Sequence, residues 1–215
     1  MSQRTKLIIA AFTVALASLV AVVIYATVYD ASAINELMSD VTLVGGVAPF
    51  TGVISSLGAF LWFATASIAV FAGMLAHRGG WRADGRFLLV AAAVTFYMWF
   101  DDFFLVHEEI APHYLGIKQR FVYAGIAAML ATYFWLARKE ILRNASWLMG
   151  LALSFFAASA GCDVMSDLGW VEKTPWLKLA EDGAKWLGIV SWTMFHVDAA
   201  YSIVSGEMRS SGQTY

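Results

Sequence analysis

The chain has 215 residues, of which 60% are hydrophobic and only 14% charged, with a formal net charge of -2. An ordinary soluble domain carries about 25% charged residues, so this composition points to lipid, and a mean hydropathy of +0.67 agrees. The charge balance and the lack of a basic run exclude nucleic acid as a partner, and the single Cys162 excludes an intramolecular disulfide.

Six apolar runs follow in chain order, near 7–28, 51–76, 87–106, 121–137, 146–165 and 179–204. Each is long enough, or nearly so, to cross ~30 Å of hydrocarbon as a helix, so the fold expected is an all-α polytopic membrane bundle of about six transmembrane helices. Residues 1–215 then form a single integral membrane domain, with no length left over for a soluble one. The first run follows Arg4 and Lys6 and precedes Ala31-Ser32-Ala33, which resembles a signal cleavage site. It is longer than the 7–15 residues of a signal core, and a retained helix is expected.

Basic residues in short loops are held on the cytoplasmic side. Alternating the loops puts Arg4, Lys6, Arg78, Arg82, Arg86, Arg138, Lys139, Arg143 and Arg209 on one side, against Lys118, Arg120, Lys173 and Lys178 on the other. Both termini are therefore expected inside, in a bacterial inner membrane. The loop 29–50, with Asp30, Glu36 and Asp40 and no base, faces out. Trp81, Trp147, Trp170 and Trp176 lie near span ends as interfacial anchors.

On this topology the ionisable groups gather toward the outer face. The third run ends in Asp101-Asp102-Phe103-Phe104-Leu105-Val106-His107-Glu108-Glu109, the fifth ends near Asp163 and Asp167, and the sixth starts with Glu181-Asp182-Gly183-Ala184-Lys185. Such groups are costly in hydrocarbon and face protein or a wet cavity. At 100° per residue Tyr97, Asp101 and Glu108 share a stripe, as do Glu181, Lys185, Gly188, Trp192 and His196. Asp101 and Lys185 each lie roughly 8–9 Å inside their spans, so an interhelical ion pair between them is expected.

Two readings remain open. In one the charges are structural. In the other Asp101, His107, Glu108, Asp163 and Glu181 line an outward-facing pocket that holds a divalent ion (Zn, Fe or Mn) or a cationic group, with Asp101, His107, Glu181 and Lys185 as the catalytic groups. The second reading gives a metal-dependent membrane-embedded enzyme acting on a lipid or other hydrophobic substrate. The first gives a non-catalytic subunit or assembly factor of a membrane complex; a small transporter is a further alternative. The partners expected are membrane lipids, with further copies of the chain or a larger membrane complex. Gly58, Gly161, Gly183 and Gly188 are expected at close helix contacts.

The strings DDFFLVHEE, LGIKQRFVYA and LAEDGAKWLGIVSW resemble motifs of uncharacterised multi-pass bacterial membrane proteins, from the second helix onward. More loosely, Ser55 or Ser56 on the second helix and Asp101 on the third resemble the alkaline ceramidase and adiponectin-receptor hydrolases, which implies a zinc held by three His. The chain departs from that pattern, with His196 followed by Ala200 where a second His belongs and no His within the second span.

Overall fold

The structure is a computed structural model that describes residues 3–30, 33–39, 41–172 and 174–206. Arg209, Asp40 and Lys173, and the side chains of Arg4, Lys6, Glu36 and Asp167, which entered the topology and acidic-cluster expectations, lie outside the described residues, as do Ala31 and Ser32 of the cleavage-like site. The described residues are helical, with no strand among them, and they divide into two compact units, 1–52 and 53–215.

The first unit contains α1 (Gln3–Val28) and the short α2 (Ala33–Met38) and α3 (Val41–Val44). The apolar stretch of α1 is Ala15–Val28. Its described side chains are mostly exposed; Ala26 is buried, and the Tyr25 and Tyr29 rings lie 4.6 Å apart.

The second unit is built on α4 (Val53–Arg78), α5 (Arg82–Phe103), α6 (Gln119–Arg143), α7 (Ser146–Asp167) and α8 (Pro175–Ser205). These five helices are long and apolar enough to cross a membrane. Between α5 and α6 lies a π-helical segment, Val106–Tyr114, largely in the interval between the third and fourth apolar runs. The last helix starts four residues before its apolar run: Pro175 occupies the first turn, and the Thr174 hydroxyl accepts a hydrogen bond from the Leu177 amide at 3.2 Å.

Small residues set the packing. Ala66, Ala69, Ala72, Gly73 and Ala76 are buried on α4, and a Cβ at Gly73 or Gly85 would come within 3.2 Å or less of the facing backbone, so α4 and α5 touch almost backbone to backbone. The expected glycine contacts divide. A Cβ at Gly58 would meet Ile189 at 3.1 Å and one at Gly188 would press into the Phe156 ring at 2.6 Å, whereas Gly161 and Gly183 have nothing within 4 Å.

An aromatic layer fills the centre. Trp62 of α4, Tyr133 of α6 and Trp192 and Phe195 of α8 are buried, and Phe156 of α7 stacks on Trp62 at 5.8 Å. Two polar contacts cross between helices here: the Trp192 indole N–H donates to Thr95 at 3.0 Å, and the Thr65 and Thr193 hydroxyls are hydrogen-bonded at 2.9 Å, while the buried Trp62 indole N–H has no partner among the described residues. His196, fully enclosed, has Nδ1 2.8 Å from the Trp192 carbonyl, which only accepts, so Nδ1 carries the proton and Nε2 accepts from the Tyr133 hydroxyl at 2.9 Å. Trp147 and Trp176, one residue into their helices, and Trp170, between them, are exposed, as interfacial anchors require.

Candidate functional site

The turns after α4 and α6 lie at one end of the five-helix bundle, with Arg78, Arg82, Arg86, Arg138, Lys139 and Arg143. The π-helical segment and the α7–α8 connection lie at the other, and the acidic residues collect there.

The backbone makes this end by a reversal. α5 stops at Phe103, and Leu105 takes up left-handed angles (φ 52°, ψ 44°), the sole non-glycine among the described residues with positive φ. The Ile110 amide then bonds the Leu105 carbonyl at 3.2 Å, an i to i+5 step that opens the π-turn. Pro112, which has no amide hydrogen, sits inside this segment. A straight α-helix through 97–109 would have set His107 about a third of a turn from Asp101. The reversal instead folds His107 back over the end of α5.

There His107 Nδ1 lies 2.5 Å from Asp101 Oδ2, and both residues are buried, at 8% and 3% exposure. The other nitrogen, Nε2, lies 3.3 Å from Glu108 Oε1. Each ring nitrogen thus faces a carboxylate. Burial works against the imidazolium, but the hydrogen bonds to Asp101 and Glu108 and the charges of both carboxylates outweigh it and hold the His107 pKa up at about 9. The hydrogen bond from His107, foremost, holds the Glu108 carboxyl below its usual range, with help from the charges of His107, Lys185 and Lys178 and in opposition to its partial burial. At neutral pH the three residues form a carboxylate–imidazolium–carboxylate chain.

The expected Asp101–Lys185 pair is not what forms. Lys185 makes its ion pair with Asp102, the next residue on α5. Asp101 is taken by His107 because the Leu105 reversal delivers an imidazole to it, and Asp102, about 100° around the helix, is left to meet α8.

Asp163 accepts a hydrogen bond from the Tyr123 hydroxyl at 3.0 Å, and Tyr123 accepts one from Gln119 at 3.1 Å. The Tyr123 ring in turn lies 5.1 Å from that of His107. Beyond Asp163 opens a cavity of about 480 Å³ between α7 and α8, lined by Asp163, Ser166, Thr174, Lys178 and Glu181 among others. Lys178 is paired with Asp182 at 2.9 Å, one turn along α8.

Of the residues singled out in the sequence, the fold brings Asp101, His107 and Glu108 into one hydrogen-bonded chain and puts Asp163 and Glu181 on one cavity. Among the described residues no three His, Cys, Asp or Glu side chains are placed to hold a metal ion together. Ser55 and Ser56 are exposed, and His196 is committed to Tyr133 and the Trp192 carbonyl. Tyr123, Gln119, Ser166 and Thr174 were not anticipated; the i, i+4 spacing of Gln119 and Tyr123 on α6 was the available signal.

The chain belongs to the family described as Domain of unknown function (DUF8692), whose model matches residues 7–199. No curated protein and no solved structure matches it, so the likeness to the ceramidase and adiponectin-receptor hydrolases gains no support.

Proposed function

We propose that this member of a family of unknown function is an integral membrane protein that takes a cationic amphiphile into the polar end of its bundle and acts on it by acid–base chemistry. The observation that carries the reading is the buried His107 bracketed by Asp101 and Glu108, linked through Tyr123 and Asp163 to a polar cavity. Asp101 fixes the ring by holding Nδ1–H. The Nε2 proton is the mobile one: the imidazolium donates it as a general acid, and half-exposed Glu108 passes a proton back from water. Asp163 and Glu181, two carboxylates on the wall of one cavity, suit a cationic head. The arginine-rich bundle end faces the cytoplasm in this reading and the acidic end the exterior of a bacterial inner membrane.

The test uses detergent-solubilised protein with a long-chain primary ammonium and, separately, the same chain ending in carboxylate. The ammonium should raise the unfolding temperature and the carboxylate should not, with the shift lost in Glu181→Gln and kept in His107→Gln. Mass spectrometry of bilayers incubated with the protein then separates the classes. A product made by wild type and not by His107→Gln supports an enzyme; binding with no product supports a non-catalytic subunit, and equal stabilisation by both amphiphiles removes the cationic-head reading.

A second reading keeps these residues for a divalent ion. Asp101 Oδ1 favours it, a buried carboxylate oxygen with no hydrogen-bond partner among the described residues. His107 would have to give up its proton and turn from one carboxylate, so metal binding would release protons. Stoichiometric Zn, Fe or Mn in purified wild type, lost in Asp101→Asn, supports it; wild type without metal after purification in the presence of each ion rejects it.

A further inference from the structure

At the opposite end of the bundle a groove of about 310 Å³ runs between α5 and α6. Arg86 and Glu140 line its rim. Neither has an ion-pair partner among the described residues, although the neighbouring Arg143 and Asp84 pair across the same two helices at 2.9 Å. Two opposite charges thus share one groove without forming an ion pair with each other. Val90 and Leu136 lie one helical turn further in on each side, about 6 Å deeper, and Phe87 and Ala137 form a buried floor. The order from rim to depth is cation and anion, then hydrocarbon. That is the order of a lipid from head to tail.

We infer that this groove is a binding site for a phospholipid with a phosphoethanolamine head, the phosphate on Arg86, the primary ammonium on Glu140 and an acyl chain along Val90 and Leu136. The guanidinium suits a phosphate because it offers paired N–H donors in a plane. The carboxylate selects among heads: a primary ammonium donates hydrogen bonds to it, a choline nitrogen has no N–H, and a glycerol head brings no positive charge to offset it. Arg86 sits four residues after the start of α5 and Glu140 three before the end of α6, so both charges lie at headgroup depth, not in the hydrocarbon. This site shares the membrane assignment with the acid–base reading but none of its residues.

The test is competition. The protein is delipidated in detergent, exposed to equal amounts of phosphatidylethanolamine, phosphatidylcholine and phosphatidylglycerol of the same chains, and examined by native mass spectrometry. Wild type should retain phosphatidylethanolamine over the other two by about five-fold, the size expected of a charge pair at a wet rim. Glu140→Gln should bring the three lipids to near parity, and Arg86→Gln should lower the retention of all three. Leu136→Trp keeps both charges but fills the groove, and should also abolish the preference. All three side chains are at the surface or rim, and unchanged helicity in the variants checks the fold. The inference is overturned if wild type shows no preference for phosphatidylethanolamine, or if the preference survives in Glu140→Gln or Leu136→Trp.

Discussion

His107 ties its own charge to the fold, and the sign of that link can be worked out. Its pKa in the folded protein, about 9, lies above the ordinary 6.5, so its contribution is complete below pH 6.5 and is lost as the pH rises through 9. Glu108 is held below its ordinary 4.5, so its contribution is complete above that value and fades only in more acidic solution. Thermal unfolding across a pH series should therefore show a plateau between about pH 4.5 and 6.5 and a fall toward pH 9. His107→Gln should be less stable at pH 6, by about 3–5 kcal/mol, because it strands Asp101 in a dry site, and it should lose the alkaline fall. A wild-type profile flat to pH 9 would contradict the carboxylate–imidazolium–carboxylate chain. Asp102→Asn leaves Lys185 without its ion pair, but Lys185 is partly solvated, so a loss of about 1–2 kcal/mol is expected, read as a lowered denaturation midpoint. Asp101, Asp102 and Lys185 were legible in the sequence as charges on apolar spans, which are too costly to be incidental. Their pairing was not legible. It turns on Leu105 at positive φ, a conformation that glycine or asparagine would have advertised and leucine does not.

Helices α7 and α8 meet through Phe156 and Gly188, and glycine at that position is a matter of space. Phe156 stands against both Trp62 and Trp192, so its ring has little freedom to retreat from a new methyl group at 2.6 Å. Gly188→Ala should destabilise the protein by about 1–3 kcal/mol in a reversible unfolding titration. Gly161→Ala, on α7 with open space around it, should be neutral or stabilise by up to about 1 kcal/mol through helix propensity. Equal effects of the two would mean that α7 and α8 do not pack through Gly188. Gly58, Gly161 and Gly188 look alike in sequence, since apolar flanks occur on lipid-facing and protein-facing sides of such helices alike. The helices of the second unit, by contrast, begin and end within six residues of the apolar runs, because hydrophobic length is what marks them in the sequence. What length could not give was the π-helical segment, where polar residues and Pro112 interrupt the apolar pattern.

Over the five-helix bundle, charge distinguishes an arginine-rich end from an acidic one, and the proposed orientation turns the arginine-rich end to the cytoplasm. Reporter fusions after Arg86 and after Arg143 should register cytoplasm, and fusions after Lys118 and after Glu172 the exterior. Reversed labelling would turn the cavity of Asp163 and Glu181 toward the cytoplasm and move any substrate with it. The five apolar helices converge on the aromatic layer, where the Trp62 and Trp192 rings lie 5.9 Å apart at 66°. Indole transitions so close and so inclined couple to each other, and the handed arrangement rotates polarised light in the near ultraviolet. One indole comes from α4 and the other from α8, so the optical signal registers whether the first and last helices of this bundle are in contact. Trp62→Phe or Trp192→Phe should each remove most of that band, while exposed Trp147→Phe should leave it nearly unchanged, which gives refolding into bilayers a direct spectroscopic readout.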